Sequence, residues 1–132
     1  MVNFFAYGTL QFPEVMLAVT GQGFASQTAF LGNFARYRLK GRSFPGIRPK
    51  LGSVVCGLVY WNIGYQVFDR LDAFEDSFYH RQTVGITTVD GIAMAAEAYV
   101  MNEESHAMLL EEEWCLENFR HEHLSSFLLR HE

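Results

Sequence analysis

The chain has 132 residues, 49% apolar and 19% charged, which fits one soluble globular domain spanning residues 1–132. Its formal net charge of -5 argues against nucleic acid and anionic membrane surfaces as partners, because both are themselves negative. No stretch is long and apolar enough to span a bilayer, and the short apolar start lacks the basic flank of a signal peptide.

The first segments follow a strand, turn and helix pattern. The apolar run at residues 2–6 predicts a buried first strand that ends in a turn at Gly8. Pro13 then begins a short helix to about residue 19, since proline is tolerated in the first helical turn. Residues 24–34 predict one or two short extended segments, broken at Gly32.

The middle of the chain is rich in strand signals. Residues 37–40 alternate in polarity and predict a strand, whereas residues 41–50 hold two prolines and two glycines and predict a loop. The β-branched run at residues 53–61 predicts a buried strand. Gly57 in its middle indicates a bulge or a close approach of another backbone.

The remaining segments alternate between helix and hairpin. Apolar residues at helical spacing predict a helix over residues 65–74. Asp90-Gly91 separates two strand-like runs, residues 82–89 and 92–100, and predicts a β-hairpin. An acidic start at residues 111–113 and one apolar stripe from Leu116 to Leu128 predict a last helix. These elements predict an α+β fold in which several strand glycines favour a closed or half-closed sheet.

The tetrapeptide Tyr7-Gly8-Thr9-Leu10 is the first candidate for chemistry. A tight turn from strand to helix can point several backbone N–H groups at one spot, which then binds a carboxylate or phosphate. Many first strands also end in a glycine turn that serves structure alone, and the tetrapeptide by itself fits both interpretations.

Glu75 is the second candidate. It follows the last apolar residue of its predicted helix and lies beside Phe74, Phe78 and Tyr79. Aromatic neighbours remove water from a carboxylate and raise its pKa, which suits general acid–base catalysis near neutral pH. The alternative is an exposed glutamate at a helix end, paired with Arg81.

A metal site is not predicted. The acidic residues around Glu75 lack the oxygen-ligand spacing of a calcium loop, and His121 and His123 do not share a helical face. The two cysteines, Cys56 and Cys115, form no disulfide framework, and reduced thiols favour a cytoplasmic location.

An ordered set of short motifs covers about the first hundred residues. It comprises Tyr7-Gly8-Thr9-Leu10, Phe44-Pro45-Gly46, the strand from Val55 to Tyr60, Leu71-Asp72-Ala73-Phe74-Glu75-Asp76, Tyr79-His80-Arg81 and Tyr99-Val100. In this order the set resembles the gamma-glutamylcyclotransferase-like superfamily, in particular its small AIG2-like branch, which includes the gamma-glutamylamine cyclotransferases.

The resemblance implies a fold, a reaction and a set of roles. The fold is a small mixed β-barrel, with parallel and antiparallel strand pairs and flanking helices. The reaction cyclises a gamma-glutamyl group and releases 5-oxoproline with a free amine or amino acid. It implies that Tyr7, Gly8, Thr9 and Leu10 bind the substrate carboxylate and that Glu75 is the general base and acid. Tyr79 is a further candidate, which either contacts the substrate or orients Glu75, and the alternative is that it packs in the core. The partner is then a small gamma-glutamyl molecule, and no cofactor is implied.

One departure from the family pattern affects function. The family usually has glycine after the catalytic glutamate, where this chain has Asp76. The added charge near Glu75 raises the pKa of that glutamate further or disfavours anionic leaving groups. The alternative to an enzyme is a binding module that holds a carboxylate-bearing metabolite without turnover. Residues 41–50 and 102–113 are expected to set specificity, and the apolar surplus of the last helix can serve a homodimer.

Overall fold

The computed structural model describes residues 2–131 of the chain. The strands are β1 (Val2–Ala6), β2 (Ser26–Arg38), β3 (Pro45–Ile63), β4 (Tyr79–Thr88) and β5 (Ala93–Met101). The α-helices are α1 (Pro13–Thr20), α2 (Tyr65–Phe74), α3 (Leu116–Glu122) and α4 (Leu124–His131). Short 3₁₀ turns lie at Thr9–Gln11 and Glu103–Met108. No helix within residues 2–131 is long and apolar enough to cross a membrane.

The five strands form a closed barrel in the order β1-β3-β2-β4-β5. The barrel closes where β5 lies parallel to β1, with Phe4 opposite Glu97, and the other neighbouring pairs are antiparallel. Closure leaves no open sheet edge. The expected α+β fold, a small mixed β-barrel with flanking helices, is therefore confirmed.

The first strand is buried on both of its faces. Successive side chains of a strand point to opposite sides. Phe5 and Tyr7 accordingly pack with strand residues in the barrel interior. Phe4 and Ala6 pack in a second core between the barrel and the helices. The end of β1 thus lies where the barrel meets the helical layer.

Several predicted elements are confirmed. Strand β1 and helix α2 have the predicted bounds, and the hairpin between β4 and β5 turns at Gly91, whose φ is +84°. A close approach was also predicted at Gly57. A Cβ there would collide with the carbonyl oxygen of Ala6 and lie 2.9 Å from the ring of Phe5, so β1 and β3 need a glycine at this point.

Two predictions for the middle of the chain are wrong. Residues 45–50 are not a loop, because β3 begins at Pro45 and pairs with β2 from Arg38 opposite Pro45 to Phe34 opposite Pro49. Strand β2 also continues through Gly32, where the register shifts and Asn33 takes a φ of +63°. The long β2–β3 pairing supplies backbone partners that the local sequence does not reveal.

The predicted last helix is two helices. The break lies at His123, where φ is −130° and ψ is −21°. Residues 111–113 precede this pair as irregular chain, and α3 begins only at Leu116. Glu112 and Glu113 instead form ion pairs with Arg38 and Arg36 of β2, at 2.6 and 3.7 Å.

Candidate active site

A cavity of about 160 Å³ lies at the end of β1, against the helical layer. Its wall includes every residue predicted to act in the site: Tyr7, Gly8, Thr9, Leu10, Glu75 and Tyr79. Strand β1 supplies the floor, and the segment that follows α2 supplies the opposite side. The fold therefore brings together two stretches that are more than sixty residues apart in the chain.

The turn after β1 is fixed by hydrogen bonds. The N–H groups of Gln11 and Phe12 donate to the carbonyls of Gly8 and Thr9, at 3.1 and 3.2 Å. The first N–H groups of such a turn have no acceptor within it, so they are available to a ligand. The hydroxyl of Tyr60 donates to the carbonyl of Leu10 at 2.6 Å and holds the turn from the core side.

Gly8 is required for close packing. A Cβ at this position would lie 3.0 Å from both Cγ and Cδ of Pro45. The turn after β1 and the start of β3 therefore meet at the cavity rim, and a side chain would push them apart.

Tyr7 contributes its backbone to the turn and its ring to the barrel interior. Its buried hydroxyl donates to the carbonyl of Tyr99 at 2.6 Å. Burial, with Tyr79 and Glu75 nearby, raises the pKa of Tyr7 well above its usual value, so the phenol stays neutral. Arg36 donates to the Tyr7 carbonyl at 2.8 Å, and this fixes the start of the turn from the other side.

Glu75 is the first residue after α2, and its N–H still bonds to the carbonyl of Leu71 at 3.0 Å. The residue is partly exposed through the cavity, but protein atoms surround its carboxyl group. Loss of hydration, then the charges of Asp76 and Asp72, raise the pKa of Glu75 from 4.5 to about 8. At neutral pH most of the population is protonated, with an ionised fraction within easy reach.

The alternative pairing of Glu75 with Arg81 is not present. Arg81 binds Asp72 through two contacts of 3.0 and 3.3 Å and reaches Glu97 at 3.1 Å. The hydroxyl of Tyr99 also donates to Asp72, at 2.7 Å. These bonds tie the last turn of α2 to β4 and β5, and so fix the position of Glu75 without neutralising it.

Tyr79 links two sides of the cavity. Its hydroxyl donates to the carbonyl of Pro45 at 2.5 Å, and its ring lies 6.5 Å from that of Phe44. Burial and the negative charges of Glu75 and Asp76 raise the pKa of Tyr79, which keeps it protonated as a donor. Tyr79 therefore holds the start of β3 against the segment that carries Glu75.

Asp76 occupies the position where the family resemblance implies a glycine. Its φ is not positive, since the described non-glycine residues with positive φ are Asn33 and Asn62. The backbone here makes no demand that only glycine can meet. The effect of Asp76 is therefore electrostatic, and it is the largest charge effect on the pKa of Glu75.

A second cavity of about 330 Å³ adjoins the first. The two share Glu75, Asp76, Tyr79 and Tyr99, and the second adds the residues Asp72, Arg81 and Glu97. The described residues of its lining are mostly acidic, and the one cation among them, Arg81, is engaged in the ion pairs described above. Among the described side chains, which end at residue 129, no group of three or more His, Cys, Asp or Glu is arranged to hold a metal ion.

Some cavity residues were assigned no role from the sequence. Phe44, Pro45 and Tyr99 belong to the motifs that carry the family resemblance, whereas Phe127 of α4 is predicted only as part of an apolar stripe. Of the two segments expected to set specificity, residues 41–50 contribute Phe44 and Pro45, and residues 102–113 contribute nothing to the lining. Only the folded structure reveals the place of Phe127, because α4 reaches the cavity from the far end of the chain.

A closed mixed barrel with these flanking helices is the fold of gamma-glutamyl cyclotransferases. The family model described as "Gamma-glutamyl cyclotransferase, AIG2-like" matches residues 4–116. The chain therefore belongs to the AIG2-like gamma-glutamyl cyclotransferase family.

Similar proteins agree with this assignment. AIG2-like protein A and AIG2-like protein C of Arabidopsis thaliana are 32% and 34% identical over 127 residues, covering 96% of this chain and 76% and 73% of theirs. A solution structure from Arabidopsis thaliana superposes with a TM-score of 0.75 at 32% identity, covering 98% of this chain and 87% of that one. A structure described as a gamma-glutamyl cyclotransferase superposes with a TM-score of 0.69, covering 76% and 66% of the two chains, and at 19% identity it is evidence of fold alone.

Proposed function

We propose that this protein is a gamma-glutamyl cyclotransferase that converts a gamma-glutamyl amide into 5-oxoproline and a free amine or amino acid. The observation that carries the proposal is the place of Glu75. A carboxyl group with a pKa of about 8 lies in the wall of the same cavity as the turn after β1. Membership of the family supports the reaction class.

The reaction is an intramolecular exchange of one amide bond for another. The α-amino nitrogen of the glutamyl group attacks its own γ-carbonyl carbon, a C–N bond forms, and the bond to the leaving nitrogen breaks. The attacking nitrogen loses one proton and the leaving nitrogen gains one, so no oxidant, reductant or water is consumed. Because both reacting groups belong to one molecule, a fixed orientation supplies much of the rate.

Glu75 has the properties that this proton exchange needs. The ionised form accepts the proton of the attacking amine, and the resulting acid donates it to the leaving nitrogen. A group with a pKa close to the working pH performs both steps efficiently. Since Glu75 has no ion pair with Arg81, its carboxyl remains free to approach the substrate.

The turn after β1 is the proposed site for the substrate α-carboxylate. Of the described residues that line the cavity, none is lysine, arginine or histidine. A carboxylate bound there depends on backbone N–H groups, and the start of the turn at Gly8, Thr9 and Leu10 offers them. The tight contact of Gly8 with Pro45 keeps this part of the rim closely packed.

A binding module is the second candidate. Asp76 motivates it, because this residue departs from the glycine that the family resemblance implies after the proton-transfer glutamate, and a fold can keep its pocket while losing the reaction. In that case the cavity holds a carboxylate-bearing metabolite at the same turn and does not convert it.

Mass-spectrometric detection of 5-oxoproline separates the two candidates. The protein is incubated at pH 8 with gamma-glutamyl amino acids, gamma-glutamyl-ε-lysine and gamma-glutamyl amines. Enzyme-dependent 5-oxoproline from any of them supports the cyclotransferase. Thermal stabilisation by these compounds without 5-oxoproline refutes it and supports the binding module.

A further inference from the structure

The cavity has an aromatic wall that comes from outside the part of the chain matched by the family model. Phe127 lies on α4, beyond residues 4–116, and lines the cavity while being only 5% exposed. Its ring packs edge-on against Phe74 at 5.9 Å and against Phe119 at 5.6 Å. The last helix therefore completes the cavity.

This wall stands beside the proposed acid–base residue. Phe74 immediately precedes Glu75 in the chain, so the Phe74–Phe127 pair adjoins the point where the amide bond breaks. In the proposed placement, the substrate α-carboxylate lies at the turn after β1 and the γ-carbonyl lies at Glu75. The leaving nitrogen then points beyond Glu75. Since Phe74 and Phe127 line the same cavity as Glu75, the group attached to that nitrogen has aromatic rings to pack against.

We propose that the substrate is a gamma-glutamyl amide whose leaving amine carries an apolar group, and that Phe127 determines this specificity by packing against that group. The inference rests on the proposed function for the placement of the glutamyl group. Apolar contact with a buried ring favours a ligand that carries an aliphatic or aromatic group, and gives little to one without it.

The adjoining acidic cavity offers a competing destination for the leaving group. Asp72 and Glu97 line it and would favour an amine that ends in a second positive charge. Both carboxylates are bound to Arg81, which offsets the negative charge that would attract a cationic ligand. The two destinations predict opposite preferences, so a matched pair of ligands distinguishes them.

The test measures binding without turnover, by calorimetry in the Glu75→Gln variant. The ligands are glutamine, whose amide nitrogen carries no substituent, gamma-glutamyl pentylamide and gamma-glutamyl 5-aminopentylamide. We expect the pentylamide to bind about tenfold more tightly than glutamine and more tightly than the aminopentylamide. Preference for the aminopentylamide, equal affinity for all three ligands, or no binding would overturn the proposal.

Substitutions then assign the preference to a residue. Phe127→Ala should reduce the tenfold preference for the pentylamide to less than threefold, and Phe127→Leu, a smaller change, should retain part of it. Phe119→Leu is the matched control, because Phe119 belongs to the same aromatic cluster but does not line the cavity. An unchanged preference in Phe127→Leu and Phe127→Ala refutes the role of Phe127. If binding follows the prediction but the wild type releases no 5-oxoproline, the proposed reaction fails and the binding specificity stands.

Discussion

The raised pKa of Glu75 has a consequence for stability that does not depend on any substrate. Between pH 4.5 and about 8 the unfolded chain loses the Glu75 proton while the folded chain retains it. The folded state then binds more protons, so its stability falls as pH rises through this interval and is constant above it. Glu75→Gln removes the ionisation, and the variant should become more stable than the wild type as pH increases.

The size of the effect follows from the two pKa values. The interval from 4.5 to about 8 corresponds to about 3.5 pH units, and about 1.4 kcal/mol for each gives an upper limit of about 5 kcal/mol. Water reaching the partly exposed residue reduces this limit, and we expect a difference of at least about 2 kcal/mol at pH 8. At pH 4.5 and below the two proteins should be close in stability.

Urea unfolding followed by tryptophan fluorescence, at pH 5, 6, 7 and 8, measures this difference. Glu104→Gln is the matched control, since it makes the same chemical change at an exposed position. A difference between wild type and Glu75→Gln that is independent of pH, or that favours the wild type at pH 8, would refute the account of Glu75.

Two further predictions concern neighbouring features of the site. Asp76→Asn should lower the pKa of Glu75, because the charge of Asp76 raises that pKa more than any other charge does. The acid limb of a kcat/KM profile against pH should then move to lower pH. An unmoved limb argues against Glu75 as the base. Gly57→Ala should lower the free energy of unfolding by more than about 2 kcal/mol, because the new Cβ would collide with the carbonyl oxygen of Ala6. Gly85→Ala is the control and should lower the free energy of unfolding by less than about 1 kcal/mol, since the space around Gly85 is open. Equal losses at the two glycines in thermal unfolding would contradict this packing.

Local pattern was enough to locate the segments that build the site. The apolar run of β1, the helical spacing of α2 and the Asp90-Gly91 hairpin each depend on neighbours in the sequence, and each is confirmed. The ordered motifs then indicated the barrel and the residues that line the cavity. The catalytic and binding roles of these residues remain predictions.

Long-range pairing explains the elements that were wrong. The start of β3 contains Pro45, Gly46 and Pro49, and such residues normally indicate a loop. Its pairing with β2 is what makes it a strand, and that partner is not visible in the local pattern. The approach of Phe127 to the cavity likewise depends on packing against residues distant in the sequence, such as Phe74.

The acid–base role of Glu75 is tested most directly by comparing wild type and Glu75→Gln with one gamma-glutamyl amide that both proteins bind. Calorimetry first establishes that the variant binds the compound, and mass spectrometry then measures 5-oxoproline from each protein at pH 8. We predict that the wild type releases 5-oxoproline and that the variant binds with similar affinity but loses at least about a hundredfold in rate. Turnover by Glu75→Gln at the wild-type rate would contradict the account.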